Sequence, residues 1–339
     1  VAAPKGVPIP YRKFLANARL SAPELAIDGD STLLSAAPFT HLYGLFSINL
    51  ALATHATTAL LPLFTPSDFA TTLDALRPSG AFVGPAHLIA CHKAGLLTPE
   101  RLSSLRFMMI SGSVCPPELA RLVQDRMQNG KVLQLWGMTE LQAGTFTRPG
   151  DSLLVRTSSV GRASPGTEVR IAEEDQVLAP GHEGELQVRG CSVFEGYLGN
   201  DAATTSAFTA DGWFRTGDLA RLDAHGNVAL TGRLKDLINR GGIKFNPVDV
   251  EIIIDRHPAV AQCAVVAMAD QALGERACCF AVLKQGADLD LAQLCRWLAQ
   301  HDVAKVKWPE RLELIAEMPL TPTRKVKKSE LAARLTSPD

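Results

Sequence analysis

The sequence has no Cys-x-x-Cys pair and no His-x-x-x-His spacing, so neither frame for a zinc ion is present. Its seven cysteines (91, 115, 191, 263, 278, 279 and 295) are scattered and odd in number. That suits reduced thiols in a cytoplasmic protein better than a disulfide framework. The eight histidines are equally dispersed, and His87 with His92 reads as decoration of a helix rather than a metal pair. Neither sign of charge prevails: 34 Lys and Arg face 35 Asp and Glu, so no broad basic field argues for nucleic acid. Internal repeats, low-complexity segments and a signal or transit peptide are also missing, and the chain does not open on Met. A clean membrane-length run is lacking too. Residues 40–67 carry no Asp, Glu, Lys or Arg, but Asn49, His55, Thr57, Thr58 and Pro62 interrupt them, whereas a span needs about 20 apolar residues. They read as a buried helix over 43–54 and a buried strand over 58–64.

What is there is ample for two or three domains: 339 residues, 46% hydrophobic and 20% charged. Between 58 and 140 apolar strands alternate with helices. "TTALLPLF", "GAFVG", "LRFMMIS" and "KVLQL" read as strands, and "SDFATTLDALRP" (with Ser67 as N-cap), "AHLIACHKAG" and "PPELARLVQDRMQNG" as helices. Uninterrupted apolar strands between helices predict a parallel sheet covered on both faces. Ligands of such sheets bind outside the carboxyl ends of the strands, where the loops "SGSVCPP" (111–117) and "WGMTE" (136–140) fall. From 151 to 235 short alternating runs and the hairpin turn "DAHGN" predict a small all-β unit, a distorted barrel. From 236 to 339 strands and helices mix as in a compact α+β domain. The fold class predicted is therefore α/β, with a parallel-sheet portion over 1–150, a barrel-like subdomain over 151–235 and a mobile C-terminal α+β domain. The charged, glycine-rich "TGRLKDLINRGG" (231–242) falls at the last junction, where a hinge is plausible.

Six motifs follow one another along the chain: "PFTHLYG" (38–44), "WGMTE" (136–140), "GELQVRG" (184–190), "WFRTGD" (213–218), "GRLKDLINRGGIKFNPVDVE" (232–251) and "PLTPTRKVKK" (319–328). In this order and spacing they resemble the adenylate-forming (ANL) superfamily of acyl- and aryl-CoA synthetases, peptide-synthetase adenylation domains and luciferases. The resemblance implies a two-step AMP-forming ligase. A carboxylate attacks the α-phosphate of ATP, and a thiol, usually that of CoA, then displaces AMP. Joining two anions requires positioning and charge neutralisation, so ATP, Mg²⁺ and CoA are the expected cofactors.

By the same resemblance Asp218 anchors the ribose and Arg233 contacts ribose and phosphate oxygens. Thr139 donates to the α-phosphate, and Glu140 holds Mg²⁺. Gly112, Ser113 and Trp136 shelter the adenine, with Gly137 and Met138 in the same nucleotide-binding stretch, and His41 stands beside the acyl pocket. Lys235 is the pivot of the C-terminal domain, Gly241 and Gly242 flank the route of the pantetheine arm, and Lys325 bridges carboxylate and α-phosphate. Bland alternatives accompany each: a hairpin Asp, a surface Arg, a helix start at Thr139 and Glu140, a buried helix-terminal histidine at His41, and one lysine of a basic run at Lys325.

Two departures stand out. Arg324 replaces the Gly that usually precedes the catalytic lysine. "APKGV" (3–7) resembles the tail of the phosphate loop, with Lys5 as its lysine, while the loop's glycine-rich head and the first part of the large domain are absent. The chain is therefore expected to be a fragment with little activity alone. The expected acid is aryl, cyclic or medium-chain; Leu42, where 2,3-dihydroxybenzoate activators tend to carry Asn, argues against an ortho-hydroxyl group. Loading of a carrier-protein thiol and a non-catalytic nucleotide-binding remnant stay as alternatives. A homodimer also stays open.

Overall fold

In the computed structural model, residues 5–174, 176–321 and 326–335 are described. The first sheet is built from β1 (Thr32–Ser35), β2 (Thr57–Ala59), β3 (Gly80–Val83), β4 (Phe107–Ile110), β5 (Lys131–Met138), β6 (Gln142–Phe146) and β7 (Arg162–Ala163), in the order β2-β1-β3-β4-β5-β6-β7. The first five strands run parallel, with Leu34 opposite Ala81, Phe82 opposite Met109 and Ile110 opposite Gln134. β6 and β7 then return antiparallel. β3 and β4 are buried along their whole length, which is why they are apolar at every position rather than at alternate ones. Alternate residues feed two cores. Leu34, Val83 and Ile110 pack on one face, and Leu33, Phe82, Phe107 and Met109 on the other.

The helices of this sheet are α1 (Tyr11–Ser21), α2 (Leu42–Thr54), α3 (Pro66–Leu76), α4 (Pro85–Lys93), α5 (Pro99–Leu102), α6 (Pro117–Gln124) and α7 (Leu153–Ser158). Proline opens α3, α4, α5 and α6, at the position where a missing N–H costs nothing. The N-cap of α3 is Thr65, not Ser67: Pro66 takes the first helical position, and the Thr65 hydroxyl accepts from Asp68 N. The strand expected over 58–64 is only Thr57–Ala59, because Pro62 cannot donate to a ladder and Leu60 and Leu63 are exposed. Among the described residues no helix is long and apolar enough to cross a membrane.

A second sheet contains β8 (Thr167–Glu173), β9 (Gln176–Val177), β10 (Glu183–Gly190), β11 (Phe214–Leu222) and β12 (Val228–Arg233), in the order β12-β11-β10-β8-β9. α8 (Asp201–Ala207) lies between β10 and β11 in the chain, and Phe194, Tyr197, Phe208 and Phe214 gather into an aromatic cluster. In the "DAHGN" turn Asp223 accepts from the backbone N–H groups of His225 and Asn227.

The third sheet is formed by β13 (Ile238–Arg240), β14 (Ile243–Phe245), β15 (Val260–Asp270), β16 (Gly274–Leu283) and β17 (Arg311–Leu314). β15 and β16 form a long antiparallel hairpin, and β17 joins β16 in parallel. α9 (Pro247–Ile254) and α10 (Leu291–Gln300) cover one face over Val265, Cys279 and Ala281. α11 (Lys328–Arg334) covers the other, where Leu331 meets Ala264, Val266 and Phe280. Lys328 pairs with Glu251 at 2.6 Å, and the same carboxylate oxygen accepts from Val265 N. Two compact units result: residues 2–216 with 220–230, and residues 217–219 with 231–339.

Candidate active site

Because β1, β3, β4 and β5 run parallel, their carboxyl ends share one edge of the sheet. Ala36 N and Ser111 N donate to Phe82 O and Val83 O, carrying the ladder one step beyond β1 and β4. Gly112 and Ser113 follow Ser111 in the loop to α6. His41 is half-buried and caps α2: its Nδ1 accepts from Tyr43 N at 3.2 Å. Tyr43 donates its hydroxyl to Met109 O at 2.8 Å, fixing the first turn of α2 against β4. His87, expected to decorate a helix, has a defined task. Its Nδ1 accepts from Gly84 N at 3.1 Å and its ring lies 4.3 Å from that of Phe64.

At the end of β5, Trp136 is buried in the core it shares with Leu141, Val188 and Phe194. Gly137 and Met138 are half-buried, and the chain then turns through Thr139 and Glu140 into β6 rather than starting a helix. Thr139 is exposed and Glu140 half-buried. The Glu140 carbonyl accepts from Phe194 N at 2.7 Å, and its Oε1 accepts from the Tyr197 hydroxyl at 3.0 Å. Burial, followed by the charge and hydrogen bond of Glu140, raises the Tyr197 phenol above its ordinary pKa, so it stays a donor. Lys5 places its Nζ 4.2 Å from the Tyr197 ring centroid, and Leu198 N donates to Gly6 O at 2.9 Å. Lys5, over the ring, and Glu140, at its hydroxyl, thus both meet Tyr197 although far apart in sequence. Sequence reading missed Tyr197. Its only signal is an aromatic between glycines in "EGYLG", and Glu140 lies 57 positions away.

In the other compact unit, Arg233 Nε donates to Asp218 Oδ1 at 2.9 Å, joining two residues that sequence reading had assigned to one nucleotide. Lys235 is exposed in a short 3₁₀ turn, Leu234–Asp236. Gly241 and Gly242 form the two-residue turn of the β13–β14 hairpin, with φ of 59° and 89°. Such a turn needs positive φ at both positions, so the backbone alone accounts for the glycine pair. Arg240 donates to Val306 O at 3.0 Å and pairs with Glu310, which makes it a brace of this unit. Lys325 and Arg324 lie outside the described residues. Among the described residues no three His, Cys, Asp or Glu side chains gather as a metal cage.

The AMP-binding enzyme family matches residues 2–198, more than half of the chain, and the AMP-binding enzyme C-terminal domain matches residues 249–325. The chain belongs to the AMP-binding enzyme family. Within that family it is 32% identical over 340 residues to the medium-chain fatty-acid–CoA ligase of Escherichia coli, covering 98% of this chain and 60% of that protein. It is 39% identical over 230 residues to a salicylyl-CoA synthase/salicylate adenylyltransferase of a Streptomyces species, covering 67% of this chain and 41% of that one. The o-succinylbenzoate CoA synthetase of Bacillus subtilis, solved with its acyl-adenylate intermediate, superposes with a TM-score of 0.86 at 26% identity. That likeness covers 98% of this chain and 66% of the other. The fold is thus that of the adenylate-forming enzymes, and this chain spans about three fifths of the length of the first curated AMP-binding relatives.

Proposed function

We propose that the protein is an ATP-dependent carboxylate–CoA ligase working through an acyl-adenylate. A carboxylate oxygen bonds to the α-phosphorus of ATP while the bond to pyrophosphate breaks. The thiol sulfur of CoA then bonds to the acyl carbon, and AMP leaves. Both steps bring negatively charged groups together, so aimed donors and cations carry the catalysis. The observation that carries this reading is the turn at the end of β5. It offers an exposed hydroxyl, Thr139, and a braced carboxylate, Glu140, at the edge where open parallel sheets bind ligands.

In this reading Thr139 donates to the α-phosphate and Lys5 faces the phosphate chain. Gly112, Ser113 and the stretch Trp136, Gly137 and Met138 border the adenine, Trp136 as buried support. Asp218 receives the ribose hydroxyls with Arg233 beside it. Glu140 fits Mg²⁺, a hard ion that is usually bound by one or two carboxylates together with substrate phosphates rather than by a protein cage. When bound, Mg²⁺ supplies neutralisation of phosphate charge. His41 borders the acid, Lys235 acts as pivot, Gly241 and Gly242 line the way of the CoA arm, and Lys325 supplies the cation for adenylation. Relatives named for a medium-chain fatty acid and for salicylate support a medium-chain or aryl acid, although salicylate carries the ortho-hydroxyl group that Leu42 argues against.

ATP–pyrophosphate exchange with a panel of aryl, cyclic and medium-chain acids, by a protein extended to the full length of these relatives, tests the reading, followed by thioester formation on CoA or on a phosphopantetheinylated carrier. Exchange should depend on the acid and fall about a hundred- to a thousandfold in Lys325→Ala. The thioester should form on free CoA. Nucleotide binding with no exchange for any acid overturns the proposal in favour of a non-catalytic protein.

A further inference from the structure

We propose that Tyr197 is a positioning residue of the nucleotide site, holding the Glu140 carboxylate and tying it to the segment that carries Lys5. The proposal rests on the reading of Glu140 as the carboxylate that takes Mg²⁺. Its basis is a short clasp, residues 193–198, that touches every part concerned. Phe194 N grips the Glu140 carbonyl at 2.7 Å, and the Tyr197 hydroxyl grips the side chain of the same residue at 3.0 Å. Leu198 N holds Gly6 O at 2.9 Å, while Lys5 caps the Tyr197 ring at 4.2 Å.

The clasp is itself secured. Lys13 Nζ of α1 donates to Val193 O at 2.6 Å and pairs with Glu195 at 3.2 Å. Tyr197 N donates to the Thr204 hydroxyl at 2.9 Å, and its ring meets Phe194 edge-on at 4.8 Å. Tyr197 therefore has little freedom to swing, and neither does the carboxylate oxygen it binds. With Oε1 committed to the phenol, Oε2 is the oxygen that turns toward a cation. Carboxylates that ligate metals are commonly oriented by such a second hydrogen bond, whose removal weakens metal binding without removing a ligand. The apolar cluster alone does not call for the hydroxyl, since phenylalanine would fill the same space. What the hydroxyl adds is one bond, directed at Glu140.

Calorimetry of ATP binding with and without Mg²⁺ tests this, using the parent, Tyr197→Phe, Glu140→Gln and the double variant. Phenylalanine keeps the ring under Lys5 and the packing on Phe194, and urea unfolding checks that the fold is retained. Tyr197→Phe should lose about ten- to a hundredfold of the tightening that Mg²⁺ confers, with Mg²⁺-free affinity unchanged. Glu140→Gln should lose at least as much, and the double variant no more than Glu140→Gln. Equal weakening with and without Mg²⁺, or losses that add in the double variant, overturns the positioning role. If Glu140→Gln leaves the Mg²⁺ effect intact, the assignment of Glu140 falls instead and takes the proposal with it.

Discussion

A methyl group added at Gly137 would stand 1.7 Å from Gln142 O and 2.8 Å from the carbonyl carbon of the same residue. Both are backbone atoms of β6, held by the β5–β6 ladder beside its register shift at Trp136 and Gly137. No flexible side chain can yield there. Gly137→Ala is expected to cost about 3 kcal/mol, the upper end for overpacking, read as a lower urea midpoint. A midpoint equal to the parent's would mean that the hairpin is looser than its geometry. This residue also shows what the sequence could and could not disclose. "WGMTE" announces a site, yet whether its glycine serves ligand or hairpin depends on a strand that lies beyond the motif. The Gly241–Gly242 pair behaves alike, explained by a turn before any ligand is invoked. Tyr197 marks the opposite case, because nothing local to "EGYLG" names Glu140 as its partner.

α2 begins where His41 accepts from Tyr43 N, a capping bond that sequence patterning does not single out because histidine is not among the usual caps. His41→Ala should cost about 1 kcal/mol of stability, and His41→Asn should recover most of it, since asparagine caps well. Thermal or urea unfolding of both variants checks this; equal losses would show that the cap contributes nothing. Acid-dependent exchange measured on the well-capped Asn variant then reports on the acyl pocket alone. At this scale the apolar strands and most helices were legible, because full burial and helical spacing leave marks in composition. Ends were less so. α6 stops at Gln124 although the pattern invited a longer helix, and Thr65 rather than Ser67 starts α3 because Pro66 claims the first helical position.

For the whole molecule, the change of texture along the chain announced three regions, and contacts gather them into two compact units. Sequence could not show that Gly217–Leu219, in the midst of β11, keeps company with residues after 231. Just past the boundary of the units' main spans at 230/231 lie Arg233 and Lys235, both exposed. Limited trypsin digestion should therefore cut first at Arg233 or Lys235, as identified by mass spectrometry. A first cut inside the first unit, at the buried Arg156 of α7, would contradict this division. The cysteines carry a practical consequence of the same architecture. Cys91, Cys115, Cys263, Cys278 and Cys279 are buried, and only Cys191 and Cys295 are partly exposed. Burial raises the thiol pKa of both, so attachment of a probe to them calls for alkaline conditions. Cys191 belongs to one compact unit and Cys295 to the other. The chain thus carries one reachable attachment point on each body, and a pair of spin labels on the unmutated protein becomes a ruler for the distance between them.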